Sequence, residues 1–302
     1  MDPPLIDKIV NALLYEGYLL YPYRPSVKSR HRWTFGGLYP QAYCEAEKGS
    51  DASSMQAECL VRGGQPTTLS VEVRFLHLLE RRVGRLREPL KEMPPAREPT
   101  FDLVDCLEVG SRHHHPWQEA MERRVPVIGV KLGNGALDLQ EQRFAFPASH
   151  QLEPIADESG SIMAVLVREQ EPVAGSVETS AAQVGDDLFR LRIRIANVAE
   201  IEEAACWKRE QALLRSLVST HAVLSVTDGD FVSILDPPED ARTVAAGCRN
   251  IGCWPVLIGQ NGDRGSMLVS PSILYDYPEV ALESPGDLFD ATEATKFSAS
   301  ES

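Results

Sequence analysis

The sequence has no long apolar run and no excess of positive charge. No stretch reaches the roughly 18 consecutive apolar residues of a membrane-spanning helix. The first twenty residues lack the basic region and unbroken apolar segment of a secretory signal. There are 44 acidic and 30 basic residues, so the formal net charge is -14, which disfavours contact with a phosphate backbone or an anionic membrane. We therefore expect a cytoplasmic protein with no membrane and no nucleic-acid partner.

Motifs for metals and cofactors are also missing. Of the six cysteines, only Cys248 and Cys253 are close in sequence, and this C-x4-C spacing without a second pair does not match a zinc site. Gly36-Gly37 and Gly133–Gly135 are isolated and form neither a dinucleotide fingerprint nor a P-loop. We therefore predict no cofactor and no metal, and we interpret the cysteines as structural thiols, with metal or redox use as the alternative.

The apolar pattern predicts an α+β fold, mostly antiparallel sheets with flanking helices. Apolar residues at helical spacing from Leu5 to Leu14 predict a first helix, and alternation in 67–79 and 188–195 predicts strands. Further helices are expected at 117–123, at 201–219 and from Asp236, which begins a capping box, to Cys248. The sequence has no internal repeat. It also lacks the regular alternation of strands and helices that would indicate a doubly wound parallel sheet.

The length of 302 residues allows one large domain or two ordinary ones. The polar segment 147–161 is the best candidate for a linker. We therefore predict an N-terminal α+β domain at 1–149, a C-terminal α+β domain at 161–290 and a frayed tail at 291–302. The polar segment 45–66 is expected to be a mobile loop, and 84–99 an irregular connection.

Two groups of residues resemble parts of active sites. His113, His114 and His115 are adjacent, so their side chains point in different directions and a shared metal would need ligands from elsewhere. Ser219 and His221 have Asp228 and Asp230 close in sequence, but the nucleophile elbow G-x-S-x-G is absent. Surface or packed histidines and helix capping are the simpler interpretations. An enzyme with an unrecognised active site, a hydrolase or small-group transferase, stays open as the alternative.

Aromatic and arginine residues are concentrated in two terminal segments and favour protein recognition, because Tyr, Trp and Arg dominate binding surfaces. Core packing of the same side chains is the alternative. The arginine row Arg190, Arg192 and Arg194 is interpreted as a solvated strand face. The predicted partner-binding residues are Tyr21, Tyr23, Arg24, Arg32, Trp33, Tyr275, Asp276 and Tyr277.

The same segments carry a family resemblance. YEGYLLYPYRPS, RWTFGGLYP and ILYDYPEVALESPGDLFDATE, with weaker similarity in FVSILDPPE and WPVLIG, resemble an uncharacterised bacterial protein family. Its members are encoded among the accessory genes of nickel–iron hydrogenase clusters. The resemblance implies a cytosolic accessory protein whose partner is a hydrogenase subunit or maturation factor, and it does not imply that this chain binds nickel. The sequence thus favours a non-catalytic binding or assembly factor over an enzyme.

Overall fold

The computed structural model describes residues 3–14, 18–19, 32–33, 36–95, 97–132, 137–260 and 262–278. The helices are α1 (Pro3–Leu14), α2 (Gln41–Glu47), α3 (Arg209–Leu214) and α4 (Arg242–Ala246), and a 3₁₀ turn covers Ala204–Cys206. The strands are β1 (Tyr18–Leu19), β2 (Arg32–Trp33), β3 (Ser54–Leu90), β4 (Phe101–Val104), β5 (Leu107–Val109), β6 (Arg112–His114), β7 (Trp117–Lys131), β8 (Leu137–Phe146), β9 (Ser149–Ala156), β10 (Ile162–Gln170), β11 (Val173–Gln183), β12 (Leu188–Asn197), β13 (Val218–Val232), β14 (Trp254–Leu257) and β15 (Ser266–Ser270).

One antiparallel sheet contains most of these strands. Its main order is β14-β15-β13-β3-β12-β11-β8; β4, β7 and β10 also pair with β3, and β9 pairs with β10. The pairs β1–β2 and β5–β6 form separate two-stranded antiparallel sheets. The prediction of mostly antiparallel sheet is confirmed, although the described chain is richer in sheet and poorer in helix than a balanced α+β protein. None of the helices in the described ranges has the length and apolar character needed to cross a membrane.

Strand β3 is the organising element of the sheet. Its 37 residues pair first with β12, then with β13 and β7, and finally with β10 and β4. It therefore hydrogen-bonds strands from both sides of the predicted boundary at 147–161. The division into domains at 1–149 and 161–290 stays a prediction, and the tail at 291–302 lies outside the described residues.

The two faces of the sheet bury separate apolar clusters, because alternate side chains of a strand point to opposite faces. The first cluster includes Cys59, Val73 and Phe75 of β3 with the inward residues of β12. The second lies beneath α1 and α3 and includes Leu76 and Leu78 of β3. The predicted α1 is confirmed: its apolar stripe is buried in this second cluster.

Three of the predicted helices are wrong or shortened. Residues 117–123 belong to strand β7, because pairing with β3 overrides the helix propensity of Ala, Glu, Met and Arg. The helix expected at 201–219 is reduced to α3, and Val218 begins strand β13. The helix expected from Asp236 to Cys248 is reduced to α4.

The expected loops are also mostly strand. Strand β3 covers most of 45–66 and the first part of 84–99, and β9 occupies most of the expected linker. Strand β9 is polar because nearly all of it is exposed, with Ile155 alone buried. A half-solvated strand and a loop have similar composition, so composition did not separate them.

Candidate functional site

A pocket of about 330 Å³ lies where α3, β13 and β14 meet the turn at Gly36-Gly37. Its inner wall is apolar and includes Tyr39, Met55 and Val218, and its polar groups include Asp51 and Arg209. Trp254 and Pro271 form part of its lining on the side of the sheet edge. The volume falls at the small end of the range for ligand pockets, so it suits a single side chain or a small molecule.

The glycine turn brings the backbone close to the pocket wall. Gly36 has φ of 64°, and a Cβ placed on it would lie 2.6 Å from Cγ of Pro271. The Gly36 carbonyl accepts a hydrogen bond of 3.0 Å from the amide of Thr220. Glycine is therefore required at Gly36 both by backbone conformation and by space.

The polar wall consists of charges that the chain neutralises itself. Arg209 donates from Nε and Nη2 to the carboxylate of Asp51 at 3.1 and 3.2 Å. Its guanidinium carbon also lies 5.1 Å from the ring centre of Tyr39, which stacks on Tyr43. Burial raises the pKa of Tyr39, so its phenol stays protonated. The pocket thus presents an aromatic wall and an internal ion pair, a surface for packing and hydrogen bonding.

Four exposed apolar side chains lie on the segments that border this pocket, and we call them the apolar rim. They are Ile251, Trp254, Ile273 and Tyr275, with exposed fractions of 53%, 38%, 75% and 86%. Trp254 is the first residue of β14, and its register partner Ser270 directly precedes Pro271 of the pocket wall. Trp254 itself lines the pocket, whereas the other three lie within four residues of a lining residue in the sequence. Exposed large apolar side chains near a pocket favour a binding surface.

Strand β14 ends the main sheet in the described part of the chain, and its outer edge is closed to further strands. The amide of Leu257 donates to Oδ1 of Asp276 at 2.8 Å, and the carbonyl of Leu257 accepts from the amide of Tyr277 at 2.7 Å. Pro255, two residues earlier on the same edge, has no N–H to offer. Edge strands are commonly protected from aggregation by such devices.

The predicted C-terminal site residues have different surroundings. Tyr275 points into solvent, as the recognition hypothesis requires. Asp276 accepts hydrogen bonds from Leu257 and from the Ser233 hydroxyl, so it is occupied within the chain. Tyr277 packs against the first core cluster and donates its hydroxyl to the Asp263 carbonyl at 3.0 Å. Of these three residues, Tyr275 alone has its side chain directed outward.

The side chains of the predicted N-terminal site residues lie outside the part of the chain that the structure describes. Tyr21, Tyr23 and Arg24 lie outside the described residues. Arg32 and Trp33 form β2, whose backbone pairs with Leu19 and Tyr18, and their side chains lie outside the description. The sequence alone does not single out Ile251 and Trp254, because WPVLIG contributes only to the weak family similarity. The Trp-Pro pair at the start of this short strand is the signal that indicates a sheet edge, because proline has no N–H to donate to a neighbouring strand.

The two catalytic candidates do not form a nucleophile and base. Ser219 and His221 are both buried, and the Ser219 hydroxyl donates to the Leu13 carbonyl at 3.3 Å. Nδ1 of His221 contacts the Ser219 carbonyl at 2.6 Å rather than a hydroxyl. Asp228 and Asp230 lie on an exposed stretch of β13, before its buried last two residues. The pair therefore lacks the hydroxyl–imidazole hydrogen bond that a nucleophile and its base require.

The histidine and cysteine groups show no metal cluster. His113 and His115 stack with ring centres 6.5 Å apart at the surface hairpin, and the described ranges contain no group of three or more metal ligands. The cysteines are free thiols. Burial raises the pKa of Cys248 to about 11 and that of Cys253 to about 12, so both are protonated at neutral pH.

Two arginines of the row on β12 form side-chain contacts with neighbouring strands. Arg194 forms an ion pair of 2.9 Å with Glu178 of β11, and Nε of Arg192 donates to Gln56 of β3 at 2.8 Å. The Arg194 pair fits the predicted strand face with nearby acids, whereas Arg192 binds a neutral amide and keeps its positive charge.

Comparison of the sequence with protein-family models and with curated proteins gave no match. The resemblance to the hydrogenase-associated family therefore stays a prediction.

Proposed function

We propose that this chain is a non-catalytic accessory factor that binds a partner protein through the apolar rim and the adjoining pocket. The observation that carries the proposal is the exposed Trp254 in the lining of a cavity of about 330 Å³, with Ile251, Ile273 and Tyr275 exposed on the segments that border it. Binding energy in protein interfaces is concentrated in a few aromatic anchors and the pockets next to them.

The occupant that we favour is a polypeptide with an apolar anchor side chain and basic residues around it. The pocket wall is largely apolar, and Arg209 is already neutralised by Asp51. The chain as a whole carries a formal charge of -14, which attracts a basic partner surface and repels an acidic one. The same charge supports the proposal that neither nucleic acid nor a membrane surface is a partner.

The proposed setting is the cytoplasm, near the assembly or operation of a nickel–iron hydrogenase. The family resemblance of the terminal segments is the support for this setting, and the partner would be a hydrogenase subunit or a maturation factor. The alternative of a hydrolase or small-group transferase gains no support from the geometry of Ser219 and His221.

The test is quantitative affinity capture from native cells that are making the hydrogenase. We expect the wild-type chain to recover a hydrogenase subunit or maturation protein. The double variant Trp254→Ala/Tyr275→Ala should recover about tenfold less, because it removes the two aromatic members of the apolar rim.

The matched control is Leu139→Ala, which removes an exposed apolar side chain, 61% accessible, on β8 at the other end of the sheet order. Capture with this control should equal that of the wild type. Recovery of no hydrogenase protein above background, or equal recovery by the rim variant and the wild type, would contradict the proposal.

A further inference from the structure

A buried imidazole with one unsatisfied nitrogen lies beneath helix α1. The side chain of His221 is fully buried, and its Nε2 has no hydrogen-bond partner. Nδ1 contacts the Ser219 carbonyl at 2.6 Å, so Nδ1 carries the proton of the neutral ring and Nε2 is a bare acceptor. Ser219 holds a left-handed φ of 51°, which a serine seldom adopts.

The polar anchors of α1 lie on both sides of this imidazole. In the register of β13 and β3, His221 is directly opposite Arg74. Arg74 is buried and donates from Nη1 to Asp7 of α1 at 2.6 Å. Ser219, two residues from His221, donates to the Leu13 carbonyl at the other end of α1. Val218 and Val223, which flank His221 on β13, belong to the apolar cluster that α1 covers.

The charged groups around His221 do not favour a second positive charge. Strand β3 contributes Arg74 and Glu72, which are already paired with each other. Helix α1 contributes Asp7, which pairs with Arg74 and lies 3.7 Å from Arg124 of β7. Both carboxylates are therefore occupied by arginines, and a proton on Nε2 would add an unpaired charge in a buried position.

We propose that His221 makes the docking of α1 sensitive to protons: the neutral imidazole permits the helix to pack, and protonation releases it. The released helix exposes His221 to water, where an imidazolium is stable. The inference concerns the chain alone and does not depend on the proposed partner.

The direction of the effect follows from linkage. Burial, with a smaller contribution from Arg74, lowers the pKa of His221 from 6.5 to about 4 in the docked state. The undocked state therefore binds the proton more readily. Docking is strongest when the pH is above the ordinary pKa of histidine, and it weakens as the pH falls toward the pKa of His221 in the docked state. Between pH 7 and pH 5, the ratio of undocked to docked helix should rise by about 20-fold.

Hydrogen exchange of the α1 amides, expressed as protection factors so that the intrinsic pH dependence is removed, tests this inference on the full chain. In the wild type we expect protection of α1 to fall by about 20-fold between pH 7 and pH 5. Global unfolding exposes His221 and His77 as well, so protection of the central strands should fall by at least the same factor, from a higher value at each pH. In His221→Gln, which cannot titrate, α1 protection should be independent of pH.

Two matched variants keep the result interpretable if His221→Gln proves unstable. His77→Gln removes the second buried histidine with a lowered pKa among the described residues, and it should leave the pH dependence of α1 protection unchanged. Asp7→Asn removes an anchor of α1, and it should lower protection at every pH with the wild-type slope. Wild-type α1 protection that stays constant from pH 7 to pH 5, or a wild-type slope retained in His221→Gln, would overturn the inference.

Discussion

Glu119 of β7 shows how a single buried charge depends on its partners. Its carboxylate is almost fully buried and accepts from Nη1 of Arg81 at 2.8 Å and from Nε of Arg168 at 2.7 Å. Arg168 also pairs with Glu153, so the charges form a network across the sheet. Removing one member of such a network leaves buried charges without compensation.

The substitution Glu119→Gln should therefore lower the free energy of unfolding by about 3 kcal/mol. Urea denaturation followed by circular dichroism measures this change. The matched control is Asp102→Asn, the same chemical change in the exposed pair of Asp102 with Arg87, and it should leave the urea midpoint nearly unchanged. Equal shifts in both variants would show that the burial of Glu119 contributes nothing.

The same residue explains one error of the sequence analysis. Glu119 lies in WQEAMERR, whose composition favours a helix, and an isolated glutamate is normally a solvent-facing residue. Its partners Arg81 and Arg168 are 38 and 49 residues away in the sequence. No local pattern contains that information. Neither the strand conformation of this segment nor the burial of Glu119 could therefore be predicted from the sequence.

At the scale of elements, the edge of β14 is closed by a side chain in place of another strand. Asp276 accepts the amide of Leu257 and the hydroxyl of Ser233, and Tyr277 donates to the Leu257 carbonyl. Tyr277 holds a left-handed φ of 57°, a strained conformation that its hydroxyl contact with Asp263 helps to maintain. Asp276 is thus a structural residue, although it lies beside the exposed Tyr275.

The substitution Asp276→Ala should expose the unpaired amide of Leu257 and lower the free energy of unfolding by about 1–3 kcal/mol. Static light scattering during mild heating should also show earlier aggregation, because the edge is no longer closed. Tyr275→Ala is the adjacent control and should change neither measurement. A stable, non-aggregating Asp276→Ala protein would contradict this account of the edge.

Elements with a single buried face were the predictable ones. The apolar residues of α1 recur at helical spacing, and those of β12 alternate with polar residues. The structure contains the helix and the strand close to the expected positions. Helix 201–219 was wrong because the apolar residues of α3 and of the start of β13 adjoin and mimic one helical stripe. The pocket was not predictable, since Tyr39, Asp51, Arg209 and Trp254 come from separate parts of the chain.

At the scale of the whole molecule, β3 joins the sheet across the predicted domain boundary. Its residues pair with β7 on one side of 147–161 and with β10, β12 and β13 on the other. Strands that share a ladder lose their hydrogen bonds together, so we expect the described sheet to unfold as one cooperative unit.

Differential scanning calorimetry should therefore give one transition, with a calorimetric enthalpy equal to the van't Hoff enthalpy. Circular dichroism and tryptophan fluorescence should report the same midpoint, since Trp117 and Trp254 lie on opposite sides of the boundary. Two resolved transitions would instead support separate domains at 1–149 and 161–290.

The closed edge of β14 also determines how specificity can arise in this protein. A neighbour that extends a sheet is held mainly by main-chain groups, which every sequence possesses, so such binding tolerates many partners. With Pro255 and Asp276 blocking that route at β14, recognition there has to use protruding side chains. Partner choice at this edge can then be retuned by single substitutions that leave the backbone untouched.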